Sequence, residues 1–310
     1  MLRETLLLLL AYPAALVLRK IRFDGISRYP RIRKMLIRLG VFPITSHYYE
    51  PAFDLAYLRK PLSEPRALPG IEWNETGQVE LLKRLDFREE LARIPAVSSD
   101  SLEYFYNNNN FGSGDAEFLY GMIRIFKPQR IIEIGSGHST KLARRAILEN
   151  VRDDAAYRCR HVCVEPYEMP WLESLGVEVI RQPVETLPVS FFQTLRANDL
   201  LFIDSSHMIR PQGDVVFEYL ELLPVLAPGV IVHVHDIFSP RDYPASWLID
   251  EVRLWNEQYL LEAFLTHNSD WKILLAANYL KHACYELLAE RFPFLTTEKE
   301  PGSIYLVRIR

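Results

Sequence analysis

From residue 131 onward, short apolar runs alternate with segments whose apolar residues recur every three or four positions. The runs are 131–134, 160–165, 177–180, 199–204 and 230–236. Runs of this length predict strands buried on both faces of a sheet. The segments between them, 140–150, 171–175, 191–195 and 214–226, have helical spacing. In the last, Val215, Phe217, Leu220 and Leu223 are expected to point inward. Residues 248–265 read as one long helix carrying Trp247 and Trp255, and 271–277 and 303–308 as two further strands. This alternation predicts an α/β fold: a Rossmann-like three-layer sandwich with a seven-stranded, mostly parallel sheet and an antiparallel final strand pair. A helical and irregular N-terminal extension precedes it.

The pattern upstream differs. Residues 5–18 are almost wholly apolar, with Pro13 in their middle, where a proline would kink a helix. The run is shorter than the roughly 20 residues needed to cross a bilayer. Arg3 before it imitates a secretory signal, but Arg19, Lys20, Ile21 and Arg22 follow in place of a small-residue cleavage site. Residues 26–39 read as a basic amphipathic helix. Prolines 43, 51, 61, 65 and 69 disfavour long elements and suggest a segment that wraps the main domain. Residues 78–94 read as one amphipathic helix. The stretch Tyr104-Phe-Tyr-Asn-Asn-Asn-Asn-Phe-Gly-Ser-Gly-Asp115 reads as a polar loop suited to a small ligand, with Asp115 placed to cap a helix over 116–126. Three regions are therefore expected: a basic apolar arm (1–40), a proline-rich wrapping segment and cap (41–115), and a ligand-binding domain (116–310).

Composition adds bounds. With 310 residues, 49% apolar and 25% charged, a sizeable core needs no disulfide or metal staple. Cys159, Cys163 and Cys284 make neither a disulfide framework nor a zinc pattern, which points to a reducing, cytoplasmic setting. The net charge of −4 argues against nucleic acid as partner. Residues 1–40 hold nine lysines and arginines against Glu4 and Asp24, a balance of +7 that leaves −11 for the rest. The arm accordingly has three readings: a peripheral helix on an anionic membrane surface at the inner face, a helix packed on its own body or on a second copy in a homo-oligomer, and a signal or anchor.

The candidate chemistry centres on Glu133-Ile-Gly-Ser-Gly-His-Ser139. A strand, a Gly-x-Gly turn and a helix N-terminus present backbone amides to a polar ligand. Glu133, an acid inside a buried strand, needs a partner. Glu165 ends the second strand, where Rossmann-type folds hold ribose hydroxyls. Asp204 ends the fourth strand and Asp236 the fifth, with His207 and His235 beside them; His233 shares a face with His235.

These strand ends, with Phe202-Ile-Asp-Ser-Ser-His207, Asp214 and Pro228-Gly-Val-Ile-Val-His-Val-His-Asp236, resemble class I S-adenosylmethionine-dependent methyltransferases, and more narrowly the methyltransferase domain 24 family. The resemblance spans about residues 100–310. It implies that Glu133 and the backbone of Gly135, Ser136, Gly137 and Ser139 hold the methionine part of S-adenosylmethionine, that Glu165 holds the ribose, and that Asp204 or Ser205 lies beside the sulfonium. Ser139 stands where the family has its third glycine, and a serine there can cap the helix.

The implied reaction is methylation, on oxygen, of a small or glycan-like acceptor. His207 and His235 are the candidate bases. Asp204 and Asp236 are candidate ligands for Mg²⁺, whereas histidine suits that ion poorly. Arg241 and Tyr243, in a proline-rich loop, are candidate acceptor contacts. Two other functions fit the same fold: a nicotinamide-dependent oxidoreductase, against which Thr140 counts because a glycine is wanted there, and a non-catalytic membrane-associated scaffold.

Overall fold

The structure is a computed structural model that describes residues 2–98 and 102–310. Residue 1 of the basic arm and residues 99–101 of the 41–115 segment lie outside the described residues. The chain divides into two compact units, Met1–Pro61 and Leu62–Arg310.

In the first unit, helix α1 (Leu2–Asp24) runs through Pro13, and α2 (Pro30–Leu39) follows a single 3₁₀ turn. Pro30 sits at the first turn of α2, where its missing N–H is harmless, and Gly40 closes the helix in the left-handed conformation. Arg22 donates to Glu50, and Lys20 pairs with Asp24 at 2.9 Å.

In the second unit, helices α3 (Glu75–Arg84), α4 (Arg88–Ala92) and α5 (Asp115–Phe126) precede strand β1 (Arg130–Ile134) and helix α6 (His138–Asp153). Strands β2 (Arg160–Val164) and β3 (Glu178–Ile180), the short helix α7 (Val189–Phe192) and strand β4 (Leu200–Ile203) follow. Then come α8 (Asp214–Phe217), β5 (Ile231–His235), α9 (Glu257–Leu265), β6 (Trp271–Ala276), α10 (Ala277–Ala283), α11 (Tyr285–Ala289) and β7 (Ser303–Arg308). Seven strands form one sheet in the order β3-β2-β1-β4-β5-β7-β6, parallel except for β7, which runs antiparallel to both neighbours. The three-layer α/β expectation therefore holds, and β7 lies between β5 and β6.

One core cluster packs α5, α6, α10 and α11 against the face bearing Ile131 and Phe202; a second packs α9 and the segment after α8 against Ile132, Val232 and Val234. The chain leaves β1 toward β2 on one side and returns to β4 on the other. This reversal opens a crevice at the carboxyl ends of β1 and β4, where such sheets bind ligands.

Three expected helices are broken. Residues 78–94 are two helices because the Leu85 amide closes on the Leu82 carbonyl, tightening and ending α3. Residues 214–226 begin as α8 but widen into a π turn (Glu218–Leu222) and end in a 3₁₀ turn containing Pro224. Tyr219 and Leu222, four and seven residues after the buried Val215, are buried, and Leu220 is exposed, not inward. Residues 248–265 are a π turn (Ser246–Asp250), an irregular stretch, and α9. In that stretch Arg253 lies over the rings of Trp247 and Trp255.

Candidate functional site

The turn after β1 is built around a glycine that cannot be replaced. Gly135 has φ +72°, and a Cβ there would stand 1.8 Å from the Asp204 carbonyl oxygen. The close approach is set by two backbone bonds: Gly135 N–H donates to the Val164 carbonyl (3.1 Å), and Asp204 N–H to the Ile134 carbonyl (2.9 Å). Gly137 is extended, and a Cβ there would touch only the Met169 methyl, at 3.8 Å.

Glu133 finds its partners within the protein. Its carboxylate accepts from Ser139 Oγ (2.5 Å) and Thr140 Oγ1 (2.8 Å), and lies 3.0 Å from His161 Nε2 and 3.6 Å from Cys163 Sγ. Thr140 Oγ1 also accepts from Gly137 N–H. Glu133 is thus buried beneath the turn and shapes it, while the pocket wall above is formed by residues 134–139. Ser139 is not a cap. It lies in the first turn of α6, and its hydroxyl, which a glycine would lack, anchors Glu133.

Above the turn lies a pocket of about 640 Å³, lined by Gly135, Ser136, Gly137, Ser139, Glu165, Asp204 and Ser205, with Asn110 and Phe111 on another wall. Glu165 points into it while accepting from the amides of Ser136 (3.3 Å), Tyr167 (3.0 Å) and Glu168 (3.0 Å). Ser205 Oγ donates to the buried Glu218 (3.0 Å), and Ser206 is bonded to Asp214. Asn108 spends its amide holding its own loop, bonding the carbonyls of Phe105 and Phe111 and the amides of Asn110 and Phe111. Asp115 likewise is no cap: it opens α5 and accepts from Gly302 N–H (3.1 Å).

Next to the pocket is a cluster of acids and histidines. His207 (φ +58°) and Asp236 (φ +56°) are both non-glycine residues in the left-handed region, a strain that persists only where surrounding structure enforces it. His207 Nδ1 is 2.8 Å from Glu257, which also accepts from Tyr219 Oη at 3.0 Å. His207 Nε2 lies 3.3 Å from Asp204 and 3.4 Å from Asp236. Trp255 covers the imidazole, with ring centroids 4.3 Å apart. Burial alone would lower the His207 pKa, but bonding to Asp204 and Glu257 outweighs it and holds the pKa well above the usual histidine value. Its carboxylate neighbours, Asp204, Asp236 and Glu257, favour the protonated ring.

His235 is also buried, against Phe111, with Nε2 3.5 Å from Asp236. Burial opposes its charge, but Asp236, Asp204 and Asp115 raise its pKa. Its neighbour His233 stacks on Phe202, and burial pushes its pKa well down. Burial raises Asp236 to about 6. Asp204 also feels burial, but His235 and His207 hold it below the ordinary carboxylate value.

The oxygens of Asp204 and Asp236 converge with His207 Nε2 on one position. Two carboxylates suit a hard divalent ion.

The expected acceptor contacts are elsewhere. Tyr243 is buried and accepts from Gln258 N–H, and Arg241 donates to the Ser63 carbonyl. Glu257, Tyr219 and Trp255 are the residues that sequence reasoning missed. The signal available was an acid in the first turn of an apolar helix, hidden because 248–265 read as one element.

Residues 132–237 match the family model described as a methyltransferase domain. This stretch contains the glycine turn, Glu165, Asp204, His207 and Asp236. A curated relative from Archaeoglobus fulgidus, described as an uncharacterized protein, is 28% identical over 171 residues, 51% of this chain and 75% of its own. Among solved structures, the MycE methyltransferase from the mycinamycin biosynthetic pathway is similar at a TM-score of 0.33 and 12% identity in its complex with Mg, SAH and mycinamycin VI. Its complex with Mg and SAH gives 0.31 and 13%. Both alignments cover 61% of this chain, which spans 47% and 48% of those chains, just under half their length.

Proposed function

We propose that the chain is an S-adenosylmethionine-dependent methyltransferase acting on a hydroxyl oxygen of a small or glycan-like acceptor. One observation carries the reading: Asp204, at the β4 end, lines the glycine-turn pocket together with the acid of the β2 end and also belongs to the acid–histidine cluster with His207 and Asp236. The residues fit the methyl donor. The pocket volume falls within the roughly 300–1,000 Å³ of small-molecule sites. Gly137 leaves open space where a side chain would intrude, and Glu165 faces the pocket as a ribose acceptor would. Asp204, held ionised, suits a neighbouring sulfonium.

Methyl transfer to oxygen is an in-line displacement at carbon: the C–S bond breaks, the C–O bond forms, and the acceptor proton must leave. In this reading His207 Nε2, 3.3 Å from the pocket-lining Asp204, takes that proton. Glu257 on Nδ1 orients the ring and stabilises the charge that results, the logic of a carboxylate–imidazole pair. The ring must first lose the proton it shares with Asp204 and Asp236. Asp204 and Asp236 would hold Mg²⁺, which supplies Lewis-acid polarisation of an acceptor oxygen. Trp255 and Phe111 exclude water from the imidazole rings of His207 and His235.

Calorimetry with S-adenosylmethionine, S-adenosylhomocysteine and NAD tests the reading. Binding of both methyl-donor forms, weakened by Glu165→Ala, is the expected result. Binding of NAD alone would make the chain an oxidoreductase, and binding of none would leave a scaffold.

A further inference from the structure

The first unit holds features that methyl transfer does not use. Leu6 to Leu10, five consecutive leucines of α1, are each 58–68% exposed, and Leu16, Val17 and Phe23 are exposed with them. At 100° per residue, five consecutive leucines cover the whole helix circumference. A helix that is apolar all round is at home only in apolar surroundings. A partner helix or a second copy would need only one stripe of such residues.

We propose that residues 2–61 dock this protein on an anionic phospholipid bilayer, with the apolar part of α1 immersed in one leaflet and α2 lying at the headgroups. The length of α1 fits that placement. Residues 5–18 extend about 21 Å as a helix, short of the roughly 30 Å hydrocarbon core, and among the described residues no helix is long and apolar enough to cross a membrane.

Charge favours the same partner. Residues 1–61 carry eleven lysines and arginines against four acids, while the rest of the chain is net negative. Arg19, Lys20 and Arg22 follow the apolar run directly, and Arg31, Arg33, Lys34 and Arg38 lie along α2 among the exposed Met35, Ile37 and Leu39. Basic residues at this position attract the phosphates of anionic lipids. Tyr48, Tyr49 and Tyr57 are more than four-fifths exposed, and tyrosine rings favour the headgroup level, with one end apolar and the other wet.

Flotation of the full chain with lipid vesicles tests the proposal. The protein should float with phosphatidylcholine vesicles containing phosphatidylglycerol, and about 100-fold more weakly with phosphatidylcholine alone. A triple Arg31→Ala, Arg33→Ala, Lys34→Ala variant should lose a similar factor, and Leu7→Glu with Leu9→Glu should abolish flotation. A Leu9→Trp variant reads immersion directly: its emission should shift to the blue on vesicle binding and be quenched by lipids brominated in their acyl chains. Unchanged melting of the second unit shows that each variant is folded. Equal binding to both vesicle types would overturn the anionic partner. No flotation, together with a dimer in sedimentation equilibrium that Leu7→Glu and Leu9→Glu break, would make a second copy the occupant and overturn the proposal.

Discussion

Glu257 and His207 meet at 2.8 Å although fifty residues separate them, and they are tied twice. The side chains pair through Nδ1, and the amides of Asn256 and Glu257 both donate to the His207 carbonyl. The start of α9 therefore fixes the ring and its left-handed backbone together. Nδ1 is committed to Glu257, which leaves Nε2 to face Asp204 and Asp236.

A first prediction follows for the charge of that ring. An imidazolium held by three acids keeps its proton to higher pH, so the His207 resonance should titrate in NMR above the usual value of about 6.5. Removing one acid weakens that hold, so Glu257→Gln should move the midpoint down. Where His207 is the base, turnover rises with pH along the same curve, and Glu257→Gln should lower kcat by about 100-fold or more. A wild-type midpoint below 6.5 would contradict the carboxylate cage.

Magnesium should compete with the His207 proton. Asp204 and Asp236 serve both, so cation binding takes negative charge away from Nε2. Titrating MgCl₂ should lower the His207 midpoint, and EDTA should restore it. Asp204→Asn should remove the response. A midpoint indifferent to Mg²⁺ would mean that the two carboxylates hold no ion.

The two glycines of the turn should behave differently. Gly135→Ala places a Cβ against the Asp204 carbonyl at positive φ, and should destabilise the fold by about 3 kcal/mol or more. Gly137→Ala meets no protein atom closely. It should change stability by about 0.5 kcal/mol at most, yet weaken S-adenosylhomocysteine binding at least roughly tenfold, since about 1.4 kcal/mol of lost contact is enough. Thermal melts and calorimetry separate the two effects.

Ser139→Gly would restore the glycine expected from the family pattern, and should make this protein worse. Glu133 would lose its 2.5 Å donor in a buried site, a loss of about 1–3 kcal/mol. A glycine in the first turn of α6 adds a further entropic penalty. A stable Ser139→Gly variant would show that His161 and Thr140 suffice for Glu133.

The parallel strands were legible because apolar runs such as 200–203 can be little else, and the ligand-binding ends of β1, β2 and β4 followed from them. Three helices were misread because side-chain spacing does not report backbone hydrogen bonding: nothing in 214–226 marks the π turn over Glu218–Leu222. Glu133 was legible as an acid needing a partner, whereas the partners, Ser139, Thr140 and His161, come from α6 and β2. His207 was legible as a titratable group at a strand end. Its pairing with Glu257 was not, because the start of α9 was hidden inside 248–265, read as one element.

The last prediction concerns the cost of the site. Burial raises Asp236 to about 6 in the folded chain, against an ordinary value of 3.8. The folded state then holds this proton more tightly than the unfolded state, so this group's contribution to stability falls as pH rises from about 4 to about 6. Above that range the ionised, buried carboxylate is a burden on the fold. Asp236→Asn removes the burden, and asparagine tolerates the φ of +56° at this position. At pH 7 the variant should be more stable than wild type, on the order of 1–3 kcal/mol, with a flatter dependence on pH between 4 and 6, and it should lose the Mg²⁺ response and turnover. Denaturant melts across that range give the comparison, and a variant less stable than wild type at pH 7 would show that Asp236 is satisfied by His207 and His235 rather than strained.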